Sequence, residues 1–594
     1  MDVVSGQMIT NEKDLDLPGL LPLALRRAYA SSYVGGRLFG PGWSSTLDQR
    51  VEIDTKGIHY AGDDAQILHY PLPTHAGEHV YPEAGARWPL TWDQQSDTLR
   101  IEDPDRGWTR YFAPSGTVAG PGRTIRAITE LTDRNDHRIT FERDETGTPT
   151  EVRHTGGYRI AVDTIHTAVG LRIEGLRLLD GAGPGLDTKV VSYEYYPAGQ
   201  LAGVVNSSGL PYEYEYDDAD RITTCTDRNG RCYSYVYDDE GRVVRGSGEG
   251  GHLSARFRYD TAGRITTVTD SLGHATEYHY DEQQHVTKTV DPLGNTTRTD
   301  YDEAGRVIAR TDEINRTTRF DLDAHGNPLR ITEPDGTTIE LDYTELRQLA
   351  AVRRGDTVLA SFAYDTRGNV LTTTDASGAR TTRQYDDQGR LVSVTDPLGQ
   401  TRHTTTNSAG LITAITDAAG QTVRATYDAF GRVIAATNSL GFINRFEYRT
   451  EGEITRRVHP DGAVETWAHD PEGFVVEHRD RAGAVTRFEI GAFGQLAGKT
   501  LPDGEVQRFA YDTELQLLAV TMNGATWRYR YDEAGHPGRR DRFQQPQLHL
   551  SARRSRPAAG NHRCRRPYHR LHLRRTRPAG RAGEPRRHCH RPDL

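Results

Sequence analysis

The 594-residue sequence predicts an all-β repeat protein, and three observations lead to this fold class. A tyrosine returns every 21 residues along more than half of the chain. Only 35% of residues are hydrophobic, yet tyrosine, threonine and valine recur at regular spacing, which favours a thin two-faced sheet over a large solid core. Each period also holds two turn motifs separated by alternating residues, a pattern typical of antiparallel strands. Such an array lets each unit complete its neighbour's core.

The repeated tyrosine keeps one phase, which never slips between Tyr280 and Tyr511. We expect successive tyrosines on alternate strands of one sheet face, about 10 Å apart. The phase is occupied by Tyr195, Tyr216, Tyr237, Tyr259, Tyr280, Tyr301, Tyr343, Tyr364, Tyr385, Tyr427, Tyr448, Tyr511 and Tyr531, with Leu322, Thr406, His469 and Ile490 as replacements.

Residues 1–110 are predicted to form a small β-rich domain that plugs or braces one end of the array. Four of the six tryptophans, Trp43, Trp88, Trp92 and Trp108, give this segment a denser apolar content than the repeats. Its apolar run, residues 17–25, follows acidic residues and contains two prolines, so it does not resemble a secretory signal. No stretch approaches the roughly 18 apolar residues that a membrane-spanning helix needs.

Residues 111–194 are predicted to form an irregular β segment that joins the repeats. Hairpin signals occur in ITELTDRNDHRITF and YRIAVDTI. The sequence leaves two alternatives open: this segment either closes the N-terminal domain or begins the repeat sheet.

Residues 195–538 are predicted to form a continuous antiparallel meander with two strands in each period. In the unit 385–405, residues 390–395 alternate in character, Asp396-Pro397-Leu398-Gly399 favours a type I turn, and residues 400–405 run back. A second turn follows each repeat tyrosine, where a glycine and an arginine complete the motif. We expect that arginine to reach a neighbouring ring or a turn carboxylate and to act as a structural staple. The representative positions are Gly241, Gly305, Gly389 and Gly431, with Arg242, Arg306, Arg390 and Arg432.

Two cysteines flank one of these turns. Counting outward from residues 227–230 pairs Thr226 with Arg231 and Cys225 with Cys232. That register would place the two thiols opposite each other, at a distance suited to a cross-strand disulfide. A disulfide and two free thiols remain equal alternatives.

The sequence predicts neither catalytic residues nor a cofactor. It contains no serine elbow, phosphate loop, dinucleotide fingerprint or HExxH motif. Two DxDxxG strings, residues 300–305 and 321–326, are similar to calcium loops, but they coincide with the repeat turn and lack the later glutamate. We therefore predict solvated turn acids, no metal site and no enzyme activity.

The motifs YDEAGRV at Tyr301, YDDQGRLV at Tyr385 and YDAFGRV at Tyr427 resemble the YD repeat of Rhs proteins, wall-associated proteins and teneurins. The segments LPGLLPLALRRAY, residues 17–29, and FGPGW, residues 39–43, resemble the domain that precedes the repeats in bacterial Rhs proteins. The resemblance implies a spiralling YD-repeat sheet that forms part of a hollow shell. In such proteins the shell encloses a C-terminal toxin until a delivery system exports it.

From this resemblance we predict a structural shell fragment of a polymorphic toxin used in interbacterial competition. The expected partners are a C-terminal toxin and a delivery system, and the expected location is secreted or at the cell surface, otherwise cytoplasmic. The family's autoproteolytic motif is not expected here, because DPLG at Asp291 and Asp396 lies inside repeats. The alternative is a cell-surface adhesion or carbohydrate-binding protein. A shell that stops within its repeats exposes a strand edge, which favours self-association.

Residues 539–594 differ from the rest in composition, with 17 arginines, no lysine and three acids. Their formal charge is +14, which leaves −24 for residues 1–538. Read one nucleotide later, permitted codons for residues 561–580 encode TTDAAGRTTAYTYDALGRL, a close match to TDAAGQTVRATYDAFGRV at residues 416–433. We therefore predict that this tail is a disordered out-of-frame translation of further repeats and binds no nucleic acid.

Overall fold

The computed structural model describes residues 1–114, 118–120, 122–183 and 185–538, and it confirms the all-β fold class. The described residues form 49 β-strands and no α-helix. Three single-turn 3-10 helices occupy Thr46–Asp48, Glu249–Gly251 and Ala492–Gly494. No helix in the described part of the chain has the length and apolar character to cross a membrane. The predicted tail, residues 539–594, lies outside the described residues.

Two small antiparallel sheets come from the first part of the chain. One has the order β1-β2-β3 and the other β10-β11-β4-β5-β6. Alternation in LALRRAYA places the leucines of β2 in the core. The strands are β1 (Ile9–Leu17), β2 (Leu23–Ala30), β3 (Trp43–Ser45), β4 (Arg50–Asp54), β5 (Gly57–Ala61), β6 (Ile67–Tyr70), β10 (Val118–Gly120) and β11 (Arg123–Ala127).

All other strands belong to one antiparallel sheet, which begins at Leu90, inside the segment predicted as a separate domain. Its order is β7-β8-β9-β12 and then chain order to β49, since β10 and β11 join the second small sheet. Within residues 111–194, β10 and β11 join the second small sheet, whereas β12 to β17 belong to the large sheet. The early strands are β7 (Leu90–Asp93), β8 (Thr98–Asp103), β9 (Trp108–Phe112), β12 (Glu130–Thr132), β13 (Arg138–Arg143), β14 (Pro149–His154), β15 (Arg159–Thr167), β16 (Gly170–Gly183) and β17 (Leu186–Tyr195).

The repeat strands follow in pairs, one pair for each 21-residue period. They are β18 (Leu201–Val205), β19 (Pro211–Tyr216), β20 (Ile222–Thr226), β21 (Cys232–Tyr237), β22 (Val243–Gly248), β23 (Ala255–Asp260), β24 (Ile265–Thr269), β25 (Ala275–Tyr280), β26 (Val286–Val290), β27 (Thr296–Tyr301), β28 (Val307–Thr311), β29 (Thr317–Leu322), β30 (Pro328–Thr332), β31 (Thr338–Tyr343), β32 (Leu349–Arg354), β33 (Thr357–Tyr364), β34 (Val370–Asp375), β35 (Arg380–Tyr385), β36 (Leu391–Thr395), β37 (Thr401–Thr406), β38 (Ile412–Thr416), β39 (Thr422–Tyr427), β40 (Val433–Thr437), β41 (Ile443–Tyr448), β42 (Ile454–Val458), β43 (Val464–His469), β44 (Val475–Arg479), β45 (Val485–Ile490), β46 (Leu496–Thr500), β47 (Val506–Tyr511), β48 (Leu517–Met522) and β49 (Ala525–Arg528).

The buried core is concentrated where the small sheets pack on the first strands of the large sheet. Trp43, Leu99, Ile160 and Ile222 are all fully buried there. Beyond Val243 the buried apolar residues are few and mostly alanines, such as Ala309 and Ala351. The repeats therefore form a thin wall, as their low hydrophobic content predicts.

Candidate functional site

The wall winds back on itself, so that turns far apart in sequence come into contact. The β14–β15 turn accepts a hydrogen bond from the β37–β38 turn, where the Ser408 hydroxyl donates to the Gly156 carbonyl at 2.7 Å. The β24–β25 turn contacts the β47–β48 turn, where the Ser271 amide donates to Glu514 at 2.8 Å. In both cases, the two turns in contact are separated by 23 strands in the strand order of the sheet. We call this line of contacts the winding seam.

Glutamates with the repeat spacing hold the later part of the winding seam. Glu451, Glu472 and Glu514 accept hydrogen bonds from the backbone amides of Ser207, Arg228 and Ser271 at 2.7, 2.6 and 2.8 Å. Each of the three lies three residues after a position of the 21-residue tyrosine series. Sequence reasoning missed these glutamates, although their 21-residue spacing was a visible signal.

Two further contacts strengthen the same seam. The Arg228 guanidinium lies 3.2 Å from a carboxylate oxygen of Glu472, and both side chains are mostly buried. The Asn229 amide donates to Asp470 at 3.0 Å. At the next period Phe493 replaces the glutamate and packs edge-on against Tyr233. The seam thus contains both polar and apolar contacts.

Most repeat tyrosines form a hydrogen bond to the strand that precedes them. The Tyr427 hydroxyl donates to the carbonyl of Ile412, the first residue of β38, at 2.6 Å, and burial raises the pKa of Tyr427. The same bond to the first residue of the preceding strand is made by Tyr216, Tyr237, Tyr259, Tyr301, Tyr343, Tyr364, Tyr385, Tyr448 and Tyr511. The tyrosine therefore joins neighbouring strands through a side chain in addition to their backbone ladder.

Tyr280 departs from this pattern, because its hydroxyl has no hydrogen-bond partner among the described residues. The preceding turn is irregular: Arg264 has a φ of 54°, and Asp260 pairs directly with Ile265, without the usual register shift. The Tyr280 backbone amide instead donates to the Arg264 carbonyl at 3.1 Å.

The aspartate after the tyrosine caps its turn. Asp386 accepts hydrogen bonds from the backbone amides of Gln388 and Arg390 at 3.0 and 2.9 Å, and from the Arg390 guanidinium at 2.7 Å. The equivalent arginine–aspartate bonds join Arg242 to Asp238, Arg306 to Asp302 and Arg432 to Asp428. The Arg306 hydrogen bond holds the pKa of Asp302 below its usual range.

Some turn arginines also cover the next tyrosine ring. The guanidinium carbon of Arg242 lies 4.7 Å from the centre of the Tyr259 ring, and that of Arg432 lies 5.1 Å from the Tyr448 ring. The turn glycines Gly241, Gly305, Gly389 and Gly431 have φ values of 79°, 75°, 71° and 74°. Such angles favour glycine, since a side chain is strained there.

The N-terminal sheets are tied to the first strands of the wall by aromatic and charged side chains. The Trp43 indole donates to the Tyr216 hydroxyl at 3.1 Å, and the Tyr29 hydroxyl accepts from the Ile222 amide at 2.9 Å. The buried Arg27 guanidinium binds both oxygens of Asp14 at 2.7 and 2.8 Å. Sequence reasoning did not single out this ion pair.

Family comparisons agree with the repeat geometry. The RHS Repeat model matches residues 259–296, 301–338, 364–401 and 407–443. A second model, Domain of unknown function (DUF6531), matches residues 1–70. The chain therefore contains RHS repeats, and a DUF6531 segment precedes them.

Two curated bacterial proteins are similar to part of this chain in sequence. It is 27% identical over 214 residues to double-stranded DNA deaminase toxin A of Burkholderia cenocepacia, a match that covers 35% of this chain and 14% of that protein. It is 27% identical over 206 residues to the probable deoxyribonuclease RhsA of Dickeya dadantii, covering 34% and 13%. The chain thus matches only a small part of these relatives' lengths. The solved TcdB2-TccC3 structure is similar at a TM-score of 0.45 and 13% identity, covering 90% of this chain and 34% of that one.

The predicted opposition of Cys225 and Cys232 in this Rhs-repeat chain is wrong. Thr226 pairs with Cys232, and Cys225 pairs with Tyr233. The turn extends from Asp227 to Arg231, because the Asp227 amide donates to the Arg231 carbonyl at 2.8 Å. This extra turn residue shifts the register, which places the two thiols on opposite sheet faces. Both cysteines are free, and burial raises the pKa of Cys225 to about 12.

The acids of the Rhs repeats are occupied by their own turns. Asp302 and Asp323, within the two DxDxxG strings, accept hydrogen bonds from Arg306 and Asn327. Among the described residues, no group of three or more histidines, cysteines, aspartates or glutamates is arranged to hold a metal ion. The arrangement supports turn capping and strand attachment as the chemistry of these side chains.

Proposed function

We propose that this chain forms the wall of an encapsulating scaffold in an Rhs-type polymorphic toxin that serves interbacterial competition. The observation that carries the proposal is the winding seam, in which turns of one winding bind turns of the next. A sheet whose turns bind one another from winding to winding in this way separates two sides, which is the property that an enclosing wall needs. The toxin names of the related proteins support the same class of function.

The chemistry of the wall favours containment over catalysis. Hydroxyl, carboxylate and guanidinium groups of the repeats bind strands, turns and rings of the same chain. We therefore propose that the repeats act as a scaffold and not as an enzyme. The partners would be a toxin domain and a delivery system, with a secreted or cell-surface location.

The N-terminal sheets would act as a brace in this scaffold. Their residues contact both the first winding and a turn of the second. The Gly6 carbonyl accepts from the Val243 amide at 2.8 Å, and the Leu20 amide donates to the Ala409 carbonyl at 3.1 Å. One small element thus fixes the spacing of two windings.

Protease protection tests the proposal. A small protease-sensitive reporter domain is attached after residue 538, and its cleavage is compared with that of the free reporter. We expect cleavage at least fivefold slower when the reporter is attached. In the triple variant Glu451→Gln, Glu472→Gln, Glu514→Gln, the weakened seam should restore much of the cleavage rate.

Glu447→Gln provides the matched control, because Glu447 lies on the exposed sheet face and pairs with Arg456 at 2.7 Å. It should leave protection unchanged. Equal cleavage of attached and free reporter would contradict the encapsulation proposal. Saturable glycan binding together with unprotected reporter would instead favour the adhesion alternative, for which we see less support because the repeat hydroxyls are already engaged.

A further inference from the structure

A cavity of about 510 Å³ lies beside the N-terminal sheets. It is bounded by residues 36–38, the β13–β14 turn and the β15–β16 hairpin. Four arginines line it: Arg37, Arg50, Arg143 and Arg172. Its volume lies in the range typical of small-molecule sites.

The cavity contains more positive than negative charge. Asp48 is the only carboxylate among its described lining residues. Glu52, which binds Arg50 at 2.7 Å, lies next to the cavity, but it is shared with Arg123. Arg50 is 3% exposed and Arg172 is 7% exposed, so water screens their charges poorly.

Backbone carbonyls, which carry no net charge, orient most of these guanidinium groups. Arg143 donates to the carbonyls of Leu47 and Gly147 at 3.0 and 3.2 Å, and its Nε atom is buried without a hydrogen-bond partner. Arg172 donates to the carbonyls of Gly199 and Leu171, both at 2.9 Å. The Arg143 and Arg172 guanidiniums are thus held by neutral carbonyls and form no ion pair among the described residues, whereas Arg50 pairs with Asp48 at 3.4 Å.

The titration behaviour of the cluster agrees with this excess of positive charge. Burial lowers the pKa of Arg143 to about 10; Asp48 opposes this shift, and the nearby Arg37 reinforces it. Burial also lowers the pKa of Arg172. A bound anion would oppose both effects.

A purely structural role explains the cluster less well. Arginines that only braced loops would carry the cost of buried, unpaired charge, which a neutral donor such as glutamine avoids. Arg37 does not brace a loop at all: its side chain is exposed at the cavity mouth, and its guanidinium makes no hydrogen bond among the described residues. A guanidinium in this position is accessible to an entering ligand.

We propose that this cavity is a binding site for a multivalent oxyanion such as a diphosphate or a small polycarboxylate. Planar guanidinium forks match the paired oxygens of both phosphate and carboxylate groups. Arg143 and Arg172 supply the buried positive wall, and Arg37 contacts the anion from the mouth. The site is separate from the winding seam, so it holds whether or not the wall encapsulates a toxin.

Thermal unfolding of the full chain with sodium pyrophosphate or citrate, against sodium chloride of equal ionic strength, tests the site. We expect a saturable rise in melting temperature with at least one multivalent anion. A response to pyrophosphate alone identifies a phosphate site, and a response to both identifies a general oxyanion site. No rise beyond that in sodium chloride would overturn the proposal.

Three variants distinguish binding from nonspecific stabilisation. Arg37→Met should weaken anion affinity at least tenfold while leaving the ligand-free protein folded. Asp48→Asn removes the carboxylate from the lining and should bind at least as tightly as the unaltered chain. Arg316→Met, at an exposed turn where Arg316 pairs with Asp312, should bind normally. Unchanged affinity in Arg37→Met, or equal losses in Arg37→Met and Arg316→Met, would refute the site.

Discussion

At the scale of single residues, the repeat is a set of side chains that each satisfy a backbone group. The tyrosine hydroxyl donates to a carbonyl at the start of the preceding strand, and the aspartate accepts from turn amides. The arginine joins the two by binding the aspartate and, in some repeats, covering the next ring. Because each contact joins neighbouring units, the motif recurs with the full period.

Tyr427→Phe should lower the free energy of unfolding by about 1 kcal/mol, because it removes one hydroxyl–carbonyl bond and keeps the ring. Urea denaturation measures the change, and hydrogen exchange localises it to β38 and β39. Tyr280→Phe is the matched control, since that hydroxyl has no partner among the described residues. Similar losses in both variants would contradict the role of the tyrosine bond.

The turn aspartates should make the protein sensitive to acid. A carboxylate whose folded pKa is depressed adds stability above its unfolded pKa, near 4, and that stability is lost as the pH falls through the folded pKa. Asp302 has such a depressed pKa because it accepts the Arg306 hydrogen bond. Melting temperature should therefore fall as the pH drops below about 4, and less steeply in Asp302→Asn.

Asp239→Asn is the control for this pH series, because Asp239 is exposed and accepts no hydrogen bond in the described part of the chain. Its pH profile should match that of the unaltered protein. A profile of Asp302→Asn that also matches would show that the turn bond does not contribute.

The two repeat cysteines should differ in reactivity. Cys225 is buried and its thiol pKa is raised to about 12, whereas Cys232 is partly exposed. Because the thiolate is the reactive form, iodoacetamide at pH 8 should modify Cys232 at least tenfold faster. Peptide mapping measures both rates, and recovery of a Cys225–Cys232 disulfide peptide would contradict the observed register.

At the scale of elements, the turns determine which residues face each other. In the turn after β36, the Gly399 amide donates to the Asp396 carbonyl at 3.0 Å, and Gly399 has a φ of 81°. The type I turn was predictable from Asp, Pro and Gly, but the loop also includes Gln400, whose carbonyl accepts from the Asp396 amide at 3.0 Å, and this fifth residue shifts the strand pairing by one position. The same shift made the predicted cysteine pairing wrong.

Gly399→Ala should destabilise the protein by about 1–2 kcal/mol, because alanine is strained at positive φ. Open space surrounds the position, so a clash with a neighbouring side chain does not add to the cost. Gly399→Asn should cost less, since asparagine tolerates this conformation better. Urea denaturation compares the variants, and equal costs would show that backbone strain is not the cause.

At the scale of the whole sheet, the seam contacts join windings that are far apart in sequence. Arg228 and Glu472 are separated by more than 240 residues but form a mostly buried ion pair. The seam also explains why glutamate appears at this repeat position at Glu451, Glu472 and Glu514. These are positions where a turn of the first winding presents an amide.

A double-mutant cycle on Arg228→Ala and Glu472→Ala should give a coupling free energy of about 1–2 kcal/mol, since charged hydrogen bonds are strong when shielded. The exposed pair Arg456 and Glu447 should couple by less than about 0.5 kcal/mol. Urea denaturation measures the free energy of unfolding of every variant in both cycles. Equal coupling in the two pairs would contradict a special role for the seam.

The sequence by itself determined the all-β class, the two strands in each period and the repeat residues, because these depend on contacts within about 21 positions. Local turn chemistry and a fixed tyrosine phase carry that information directly. Only the tertiary structure decided that β7–β9 and β12–β17 belong to the wall, that Glu472 meets Arg228, and that four arginines surround one cavity. The contact between Arg228 and Glu472 joins residues 244 positions apart, and its pairing depends on how far each winding turns, which no local pattern specifies.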